Sequence, residues 1–273
     1  MAQVIHEKYY YEESVNVSND AVVIDRLSTG GSAGNLPKWI LRDSSGLVWA
    51  KGRSKDDSYE PEAEVCAYRL ACVFGVPAIP YSLINKAELS DKPLCVSRDY
   101  SQGLIKMSLI KYLLSIGMEE VSSLYGLEKL RLAESVLSEQ DKKLHRSILL
   151  FDYIVGNDDR HLRNFEVRIN KDNSLHSLVE LYDTGAAFFA SQSLMLLKQA
   201  CNHRDNYVNA KPYANPQFSQ LELLRNVGCD GLLRAAEKAD IYKAINSCFN
   251  GERAKLLCRY VIMNAERLGL ICK

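Results

Sequence analysis

A dense cluster of polar residues lies between Val155 and Phe165, in the sequence V-G-N-D-D-R-H-L-R-N-F. A mostly apolar run, residues 148–155, leads into it. Two members of the cluster, Asp159 and Asn164, are five positions apart. An aspartate can accept a proton from a reacting hydroxyl, and an asparagine oxygen can bind Mg²⁺. The cluster is therefore a candidate catalytic loop.

The residues after this cluster predict a β-hairpin that returns the chain to it. Residues 165–169 alternate in polarity, residues 170–174 have the composition of a turn, and residues 177–182 have the pattern of a returning strand. Such a hairpin brings Asp183, which opens the sequence D-T-G, back beside Asn164. Mg²⁺ prefers a few oxygen ligands together with phosphate oxygens. The sequence therefore predicts a metal–phosphate site at one end of the hairpin.

Both halves of this site have counterparts in kinases. The spacing D-x-x-x-x-N from Asp159 to Asn164 is that of a kinase catalytic loop, in which the aspartate accepts the hydroxyl proton and the asparagine binds Mg²⁺. The D-T-G sequence at Asp183 resembles the D-F-G magnesium site of protein kinases. Each match is short and is weak evidence alone. A kinase interpretation also requires nucleotide-binding residues elsewhere in the chain.

A glycine-rich segment in the N-terminal region is suited to binding phosphate. Gly30, Gly31 and Gly34 lie among hydroxyl side chains just before a predicted strand at Lys38. Glycine lets main-chain N–H groups approach phosphate oxygens closely. The segment is not a Walker A motif, because the order G-x-x-x-x-G-K-[ST] is absent.

A lysine and an acidic helix start follow this segment. Lys51 ends a predicted strand, and Glu60, Glu62 and Glu64 lie at the start of the next predicted helix. Kinases position nucleotide phosphates with a strand lysine that is paired to a helix glutamate. We expect Lys51 to be that lysine, with Lys38 as its rival, and the choice among the three glutamates stays open.

Hydrophobic patterns divide the chain into a strand-rich part and a helical part. The first part, residues 1–98, is predicted to be a small mixed β/α lobe that carries the phosphate loop and the nucleotide lysine. The second, residues 99–273, is predicted to be a larger, mostly helical lobe that carries the catalytic loop and the metal site. The fold class is therefore α+β. The predicted strands cover 21–24, 38–41, 47–51, 79–84 and 94–97, and the predicted helices cover 61–75, 104–116, 122–137, 141–155, 219–226, 231–239, 241–249 and 252–268.

The overall composition favours no strongly charged class of partner. Among 273 residues, 34 Lys and Arg balance 34 Asp and Glu, so direct nucleic-acid binding is not expected. No apolar run of about 18 residues predicts a membrane span, and the first residues are too polar for a signal peptide. The eight cysteines form no C-x-x-C pair, which favours reduced, mostly buried thiols in a cytoplasmic protein, with secretion as an effector left open.

Four segments in a fixed order resemble the HipA-like kinases. They are G-S-A-G-N-L-P-K at 31–38, W-A-K at 49–51, G-N-D-D-R-H-L-R-N-F at 156–165 and L-Y-D-T-G at 181–185. That family consists of bacterial serine/threonine kinases, several of them toxins of toxin–antitoxin modules, with a fold similar to phosphoinositide kinases. The resemblance implies a bilobal, protein-kinase-like fold. It also implies an ATP- and Mg²⁺-dependent protein kinase that can phosphorylate itself, with an antitoxin as a possible partner protein.

The resemblance also implies a role for each segment. Asp159 would be the catalytic base, His161 would support the loop, and Asn164 and Asp183 would bind Mg²⁺. In this family the phosphate loop can carry an inhibitory autophosphorylated serine, for which the candidates here are Ser32 first, then Ser28 and Thr29. Residues 94–98 would form the adenine-binding hinge. The implied nucleotide-binding residues are Gly31, Ser32, Ala33, Gly34, Lys38, Lys51, Glu64, Val96, Arg98 and Asp99.

Three other functions remain compatible with parts of this pattern. A lipid or small-molecule kinase would keep the same segments and phosphorylate a different hydroxyl. An inactive ATP-binding module, or a toxin held inert by a partner, would bind nucleotide without turnover. A phosphatase or other metal hydrolase would need a nucleophilic carboxylate pattern or metal-binding histidines, and the sequence contains neither pattern.

Overall fold

The computed structural model describes residues 15, 17, 18, 21–27, 36–203 and 208–272. Within them, the N-terminal part contains a five-stranded antiparallel sheet with the order β1-β2-β3-β5-β4, and one helix that packs against it. These elements are β1 (Val22–Leu27), β2 (Lys38–Asp43), β3 (Gly46–Lys51), α1 (Glu60–Phe74), β4 (Ser82–Ile84) and β5 (Leu94–Arg98).

The two faces of this sheet differ because side chains alternate along each strand. Trp39, Leu41, Val48 and Ala50 are buried together on one face. Residues that face each other across antiparallel strands share a face, and Lys38 is directly opposite Lys51 in the β2–β3 pair. The two lysines are therefore neighbours on the other face.

Helix α1 covers the lysine-bearing side of the sheet. Pro61 lies in its first turn, as the sequence predicts. Val65 and Tyr68 on α1 form a buried cluster with Cys95 on β5 and with Tyr182, the residue before Asp183. This cluster joins the sheet, the helix and the D-T-G segment, and it brings parts distant in sequence to one place.

The C-terminal part contains a three-stranded antiparallel sheet with the order β6-β7-β8 and a set of helices. Helices α4 and α8, each 17 residues long, pack together in the main hydrophobic core. The elements are β6 (Ile105–Ser108), α2 (Leu109–Ser115), α3 (Gly126–Glu134), α4 (Glu139–Val155), β7 (Glu166–Ile169), β8 (Leu175–Leu178), α5 (Leu194–Ala200), α6 (Gln217–Val227), α7 (Lys238–Asn246) and α8 (Gly251–Arg267). Two short 3₁₀ helices cover Glu119–Ser122 and Leu162–Asn164.

The predicted hairpin after the catalytic loop is confirmed. Strands β7 and β8 pair antiparallel, and Asn173 in the turn has a positive φ of 66°. The returning strand is shorter than predicted. Beyond β8 the chain runs beside residues 77–79 on the way to Asp183. There the Ile79 N–H donates to the carbonyl of Leu181, and the Leu181 N–H donates to the carbonyl of Pro77.

Two predicted helices are wrong in part or in full. Residues 105–108 form strand β6, because β7 offers them a hydrogen-bonding edge that local periodicity does not reveal. Residues 231–239 are irregular as far as Glu237 and join α7 only at Lys238. Gly231 has a positive φ there, and the main-chain N–H of Ala236 donates to the carbonyl of Leu270 instead of forming a helical bond.

The remaining fold-level expectations are met in part. The α+β class is confirmed by the two antiparallel sheets and the helices, while the lobe boundary at residues 98 and 99 stays a prediction. All eight cysteines lie in described residues and are free thiols, four of them buried. None of the described helices combines the length and the apolar character that a membrane crossing needs.

Candidate active site

The catalytic loop begins where helix α4 ends, at Gly156. This glycine has φ 65° and ψ 44°, a left-handed conformation that ends the helix and turns the chain towards Asp159. A Cβ atom at Gly156 would lie only 2.7 Å from the hydroxyl oxygen of Tyr260 on α8. The position therefore requires glycine for its backbone conformation and for its space.

Replacing Gly156 with alanine is expected to lower the free energy of unfolding by more than the about 1–2 kcal/mol that left-handed backbone costs alone. The matched control is Gly269→Ala, at φ 68° with nothing within 4 Å of its Cβ position. Denaturant unfolding of both variants measures the difference. Equal losses would show that Tyr260 does not restrict this position.

A buried ion pair holds the catalytic loop on α4. The side chains of Arg160 and Asp152 are 1% and 0% exposed, and the Arg160 Nε lies 2.8 Å from the Asp152 Oδ2. Asn157 also donates to Asp152, at 2.8 Å. A charge this deep in the protein is tolerated only with a partner and further hydrogen bonds. Buried contacts with Asp152 on α4 therefore hold the catalytic loop in place.

The same guanidinium joins the two halves of the predicted metal site. Arg160 Nη1 donates to the main-chain oxygens of Asn164, at 3.0 Å, and of Tyr182, at 2.8 Å. Tyr182 immediately precedes Asp183. One buried side chain thus holds the catalytic loop and the D-T-G segment together, which is the convergence that the sequence predicts.

The exposed side of the loop carries the proposed reacting group. The Asp159 side chain is 50% exposed. His161 Nε2 lies 3.9 Å from its carboxylate, and burial lowers the pKa of His161. The Asn164 amide nitrogen donates to the Asp159 main-chain oxygen at 3.0 Å. This bond uses the amide nitrogen of Asn164, and the amide oxygen is the atom that its side chain would offer to a cation.

Lys51 lies at the centre of the second group of contacts. Its ammonium donates to Glu64 Oε1 and to Asp183 Oδ1, each at 2.9 Å. The second oxygen of Glu64 accepts from the main-chain N–H and the hydroxyl of Thr184, at 2.8 and 2.9 Å. A continuous chain of charge and hydrogen bonds therefore runs from β3 through α1 to the D-T-G segment.

Electrostatics fix the charges in this group. Burial alone would lower the pKa of Lys51, but the carboxylates of Asp183 and Glu64 outweigh it and raise that pKa well above its usual value. The Lys51 ammonium lowers the pKa of Asp183 to about 2. Asp183 is thus a carboxylate at neutral pH, and its side chain is 35% exposed.

The structure selects among the alternatives that the sequence leaves open. Glu64 contacts Lys51, whereas Glu62 pairs with Arg53, and Glu60 accepts from the hydroxyls of Ser54 and Ser58. Lys38 lies opposite Lys51 on the same face of the sheet. Burial, followed by repulsion from Lys51, lowers the pKa of Lys38.

Replacing Lys51 with methionine is expected to reduce kcat by roughly 10²- to 10³-fold, the loss typical when one electrostatic donor to a transferring group is removed. Weaker ATP binding should accompany it, because the carboxylates of the buried Glu64 and the partly exposed Asp183 lose their counter-charge and repel the nucleotide. Kinetics and calorimetric titration with ATP measure both. Lys38→Met is the comparison, and a larger loss in that variant would assign the phosphate contact to Lys38.

The three predicted hinge residues differ in their surroundings and contacts. Val96 is fully buried on the face of the sheet opposite Lys51, so only its main chain could contact a nucleotide on the lysine side. Arg98 forms an ion pair with Asp43, at 2.6 Å, and holds the pKa of that carboxyl well below its usual range. Asp99 follows β5 and accepts from Ser101, at 2.6 Å.

The phosphate loop falls outside the described residues. This applies to Gly31, Ser32, Ala33 and Gly34, and to the other phosphorylation candidates, Ser28 and Thr29. Their predicted roles stay predictions.

Three contributors to the site are not predicted from the sequence in their observed roles. Thr184 binds Glu64, Arg160 joins the two segments, and Lys211 places its ammonium 3.0 Å from Asp159 Oδ1. The buried arginine inside the polar cluster is the one available signal, since a guanidinium so close to an apolar helix needs a partner. Lys211 lies 52 positions from Asp159, and no local pattern marks it.

The donor set fits Mg²⁺ in kind. Asn164 offers an amide oxygen and Asp183 a partly exposed carboxylate, and Arg160 holds the two segments together. Hard oxygen donors of this type, few in number, suit Mg²⁺ that also binds phosphate. Bound Mg²⁺ would neutralise charge on the nucleotide phosphates.

The fold has counterparts among solved structures. The structure of the proinflammatory kinase CtkA from Helicobacter pylori matches with a TM-score of 0.61 at 16% identity, over 92% of this chain and 93% of that one. HipA from Shewanella oneidensis MR-1, solved with HipB and operator DNA, matches with a TM-score of 0.48 at 13% identity, over 90% of this chain and 65% of that one. No protein-family model and no curated protein matches the chain. The chain therefore has a kinase-like fold, and the predicted resemblance to HipA-like kinases is confirmed at the level of the fold.

Proposed function

We propose that this chain is an ATP- and Mg²⁺-dependent kinase that transfers the γ-phosphoryl group to a serine or threonine hydroxyl of a protein. The observation that carries the proposal is the contact set around Lys51 and Arg160. It brings a lysine–glutamate pair, a D-T-G carboxylate and a D-x-x-x-x-N loop into one connected site. Kinases need these groups in this combination.

Each side chain has a distinct task in the proposed reaction. Asp159 orients the acceptor hydroxyl and accepts its proton. Lys51, held by Glu64, binds the nucleotide phosphates, and Asn164 and Asp183 hold Mg²⁺. Catalysis of this kind depends on positioning and charge neutralisation, and these buried supports provide both.

The wider parts of the proposal rest on the sequence alone, through its hydrophobic pattern for the division into lobes and through the family resemblance for the others. They are the phosphate loop at residues 31–34, the division into lobes at residues 98 and 99, phosphorylation of the chain by itself, and an antitoxin as partner. The cytoplasm is the proposed location, with secretion as an effector left open.

A labelling experiment with parallel acceptors tests the function. Purified protein, γ-labelled ATP and Mg²⁺ are incubated either with heat-treated lysate proteins or with vesicles that contain phosphatidylinositol, and Asp159→Asn protein serves as the control. Label on serine or threonine that depends on Asp159 is the expected result. Label confined to the lipid would identify a lipid kinase, and ATP binding without transfer to either acceptor would identify an inactive module.

A further inference from the structure

A groove of about 650 Å³ opens beside the catalytic loop. Asp158 and Asp159 line one side, Ala186 lies just after the D-T-G segment, and the other wall comes from the chain around Lys211. The groove thus borders both Asp159, the proposed base, and the end of the D-T-G segment. The groove therefore offers an acceptor a way to reach Asp159.

Lys211 faces Asp159 across this groove. The ammonium lies 3.0 Å from the Asp159 carboxylate, and both side chains are about half exposed, at 53% and 50%. Exposed ion pairs contribute little to stability, so this ammonium can exchange its partner at little cost. The ammonium also occupies a carboxylate oxygen that the acceptor hydroxyl would need. The pair must therefore open when the reaction begins.

The segment that carries Lys211 is held by buried contacts. The hydroxyl of Tyr213 hydrogen-bonds to His145 Nε2 at 2.9 Å, and the other ring nitrogen of His145 lies 3.1 Å from Glu134 Oε1. The Gln217 amide donates to the main-chain oxygen of Asn157, in the catalytic loop, at 2.6 Å. These contacts join the chain that follows Lys211 to the protein core and to the catalytic loop.

In the proposed reaction, the charged group that meets the acceptor beside Asp159 is the γ-phosphoryl group. A transferring γ-phosphoryl carries more negative charge than one carboxylate, and that charge must be neutralised while it moves. Lysine, a flexible point charge with three donors, is well suited to follow it. The neighbouring Arg160 is buried in its contacts with Asp152 and the main chain, and burial lowers the pKa of His161.

We propose that Lys211 is a further catalytic residue, which leaves Asp159 and binds the γ-phosphoryl group during transfer. The inference rests on the proposed kinase function. In the step itself, the acceptor oxygen forms a bond to the γ-phosphorus, and the bond from that phosphorus to the bridging oxygen breaks. The electron pair leaves with ADP, and the hydroxyl proton passes to Asp159. Lys211 keeps its protons throughout, and its release frees Asp159 to accept one.

Three variants test this role. Lys211→Met should reduce kcat roughly 100-fold, in line with the loss of one charged donor to a transferring group. The ATP dissociation constant should not change, because Lys51 holds the other phosphates. Lys211→Arg should restore part of the rate, since a guanidinium also binds phosphate. Lys238→Met is the matched control, because Lys238 forms a comparable half-exposed pair with Glu266 at 2.7 Å, on α7 and α8.

The outcomes separate this inference from the kinase proposal. Transfer by wild-type protein, absent in Asp159→Asn and unchanged or faster in Lys211→Met, would overturn the role of Lys211 alone. A Lys211→Met variant that raises only the acceptor KM would also overturn it and identify an acceptor-binding residue. Absence of transfer in wild-type protein with every acceptor would overturn the kinase proposal itself. A loss of kcat with unchanged ATP affinity, unchanged unfolding temperature and rescue by arginine is the result that supports a catalytic Lys211.

Discussion

Asp159→Asn protein should transfer phosphate about 10²- to 10⁴-fold more slowly than wild type, the range typical for loss of a general base. Asparagine keeps the size and hydrogen-bonding shape of the side chain but cannot accept the hydroxyl proton. The Asp159 side chain is half exposed and has no contact with the Lys51 group among the hydrogen bonds of the described residues. ATP affinity should therefore stay close to that of wild type. Steady-state kinetics and calorimetric titration with ATP measure the two quantities.

Two further substitutions show whether the effect is specific to this carboxylate. Asp230→Asn removes an exposed aspartate from the loop after α6 and should leave kcat unchanged. Asp158→Asn should have a smaller effect than Asp159→Asn, because the D-x-x-x-x-N spacing starts at Asp159 and the Asp158 carboxylate accepts from Gln192 at 3.3 Å. Wild-type kcat in the Asp159→Asn variant would show that this residue is not the base.

Replacing Arg160 with methionine should destabilise the protein by about 3–5 kcal/mol, the usual cost when one partner of a buried ion pair is removed. The loss leaves Asp152, which is fully buried, without its counter-charge. The main-chain oxygens of Asn164 and Tyr182 lose the same donor, so transfer should fall as well. Chemical denaturation and the labelling assay measure the two effects.

The destabilisation of the Arg160→Met variant should depend on pH in a defined direction. Burial raises the pKa of Asp152 even with Arg160 present, and removal of the guanidinium takes away the charge that opposes this rise. A carboxyl whose pKa is higher in the folded state costs stability when it is ionised, and the cost disappears as pH falls below the pKa of the unfolded chain. The variant should therefore lose less stability at acidic pH than at pH near 8. A destabilisation that is independent of pH would contradict this account.

The double variant Asp152→Leu, Arg160→Met offers a control for the same pair. Replacement of a whole buried ion pair by apolar side chains is often neutral or even stabilising. We expect this protein to recover much of the stability that Arg160→Met loses but little of its activity, because the donor to Asn164 and Tyr182 is still absent. Recovery of activity together with stability would show that Arg160 acts only through the stability of the fold.

The sequence predicts the site best where its parts are local. The hairpin follows from alternation and turn residues within less than 20 positions, and it returns Asp183 to the catalytic loop as expected. The choice of Glu64 over Glu60 and Glu62 cannot be made from the residues nearby in sequence. It depends on the side of α1 that meets Lys51 and Thr184, residues 13 and 120 positions away.

The errors have the same physical origin. Residues 105–108 have helical periodicity, but they form a strand because β7 offers them an edge to pair with. The rest of the fold decides which strands pair in a sheet. The hinge assignment of Val96 stays a prediction, and the sequence does not show that its side chain lies on the face opposite Lys51, since a strand's facing is set by register with β3. The role of Lys211 cannot be predicted from the sequence for a related reason. Its segment lies beside the loop because of buried contacts made by Tyr213 and Gln217 with residues distant in sequence.

The central claim is that the site built around Asp159, Lys51 and Asp183 transfers phosphate to protein hydroxyls. Its most direct test uses ATP whose γ-phosphate carries heavy oxygen, so that newly transferred groups are distinguished by mass spectrometry from those already present. Heat-treated lysate is incubated with wild-type or Asp159→Asn protein and Mg²⁺. Heavy phosphate on serine or threonine residues in the wild-type sample, and its loss in the variant, is the predicted result. Equal labelling by the two proteins, or none by a folded wild-type protein that binds ATP, would contradict the account.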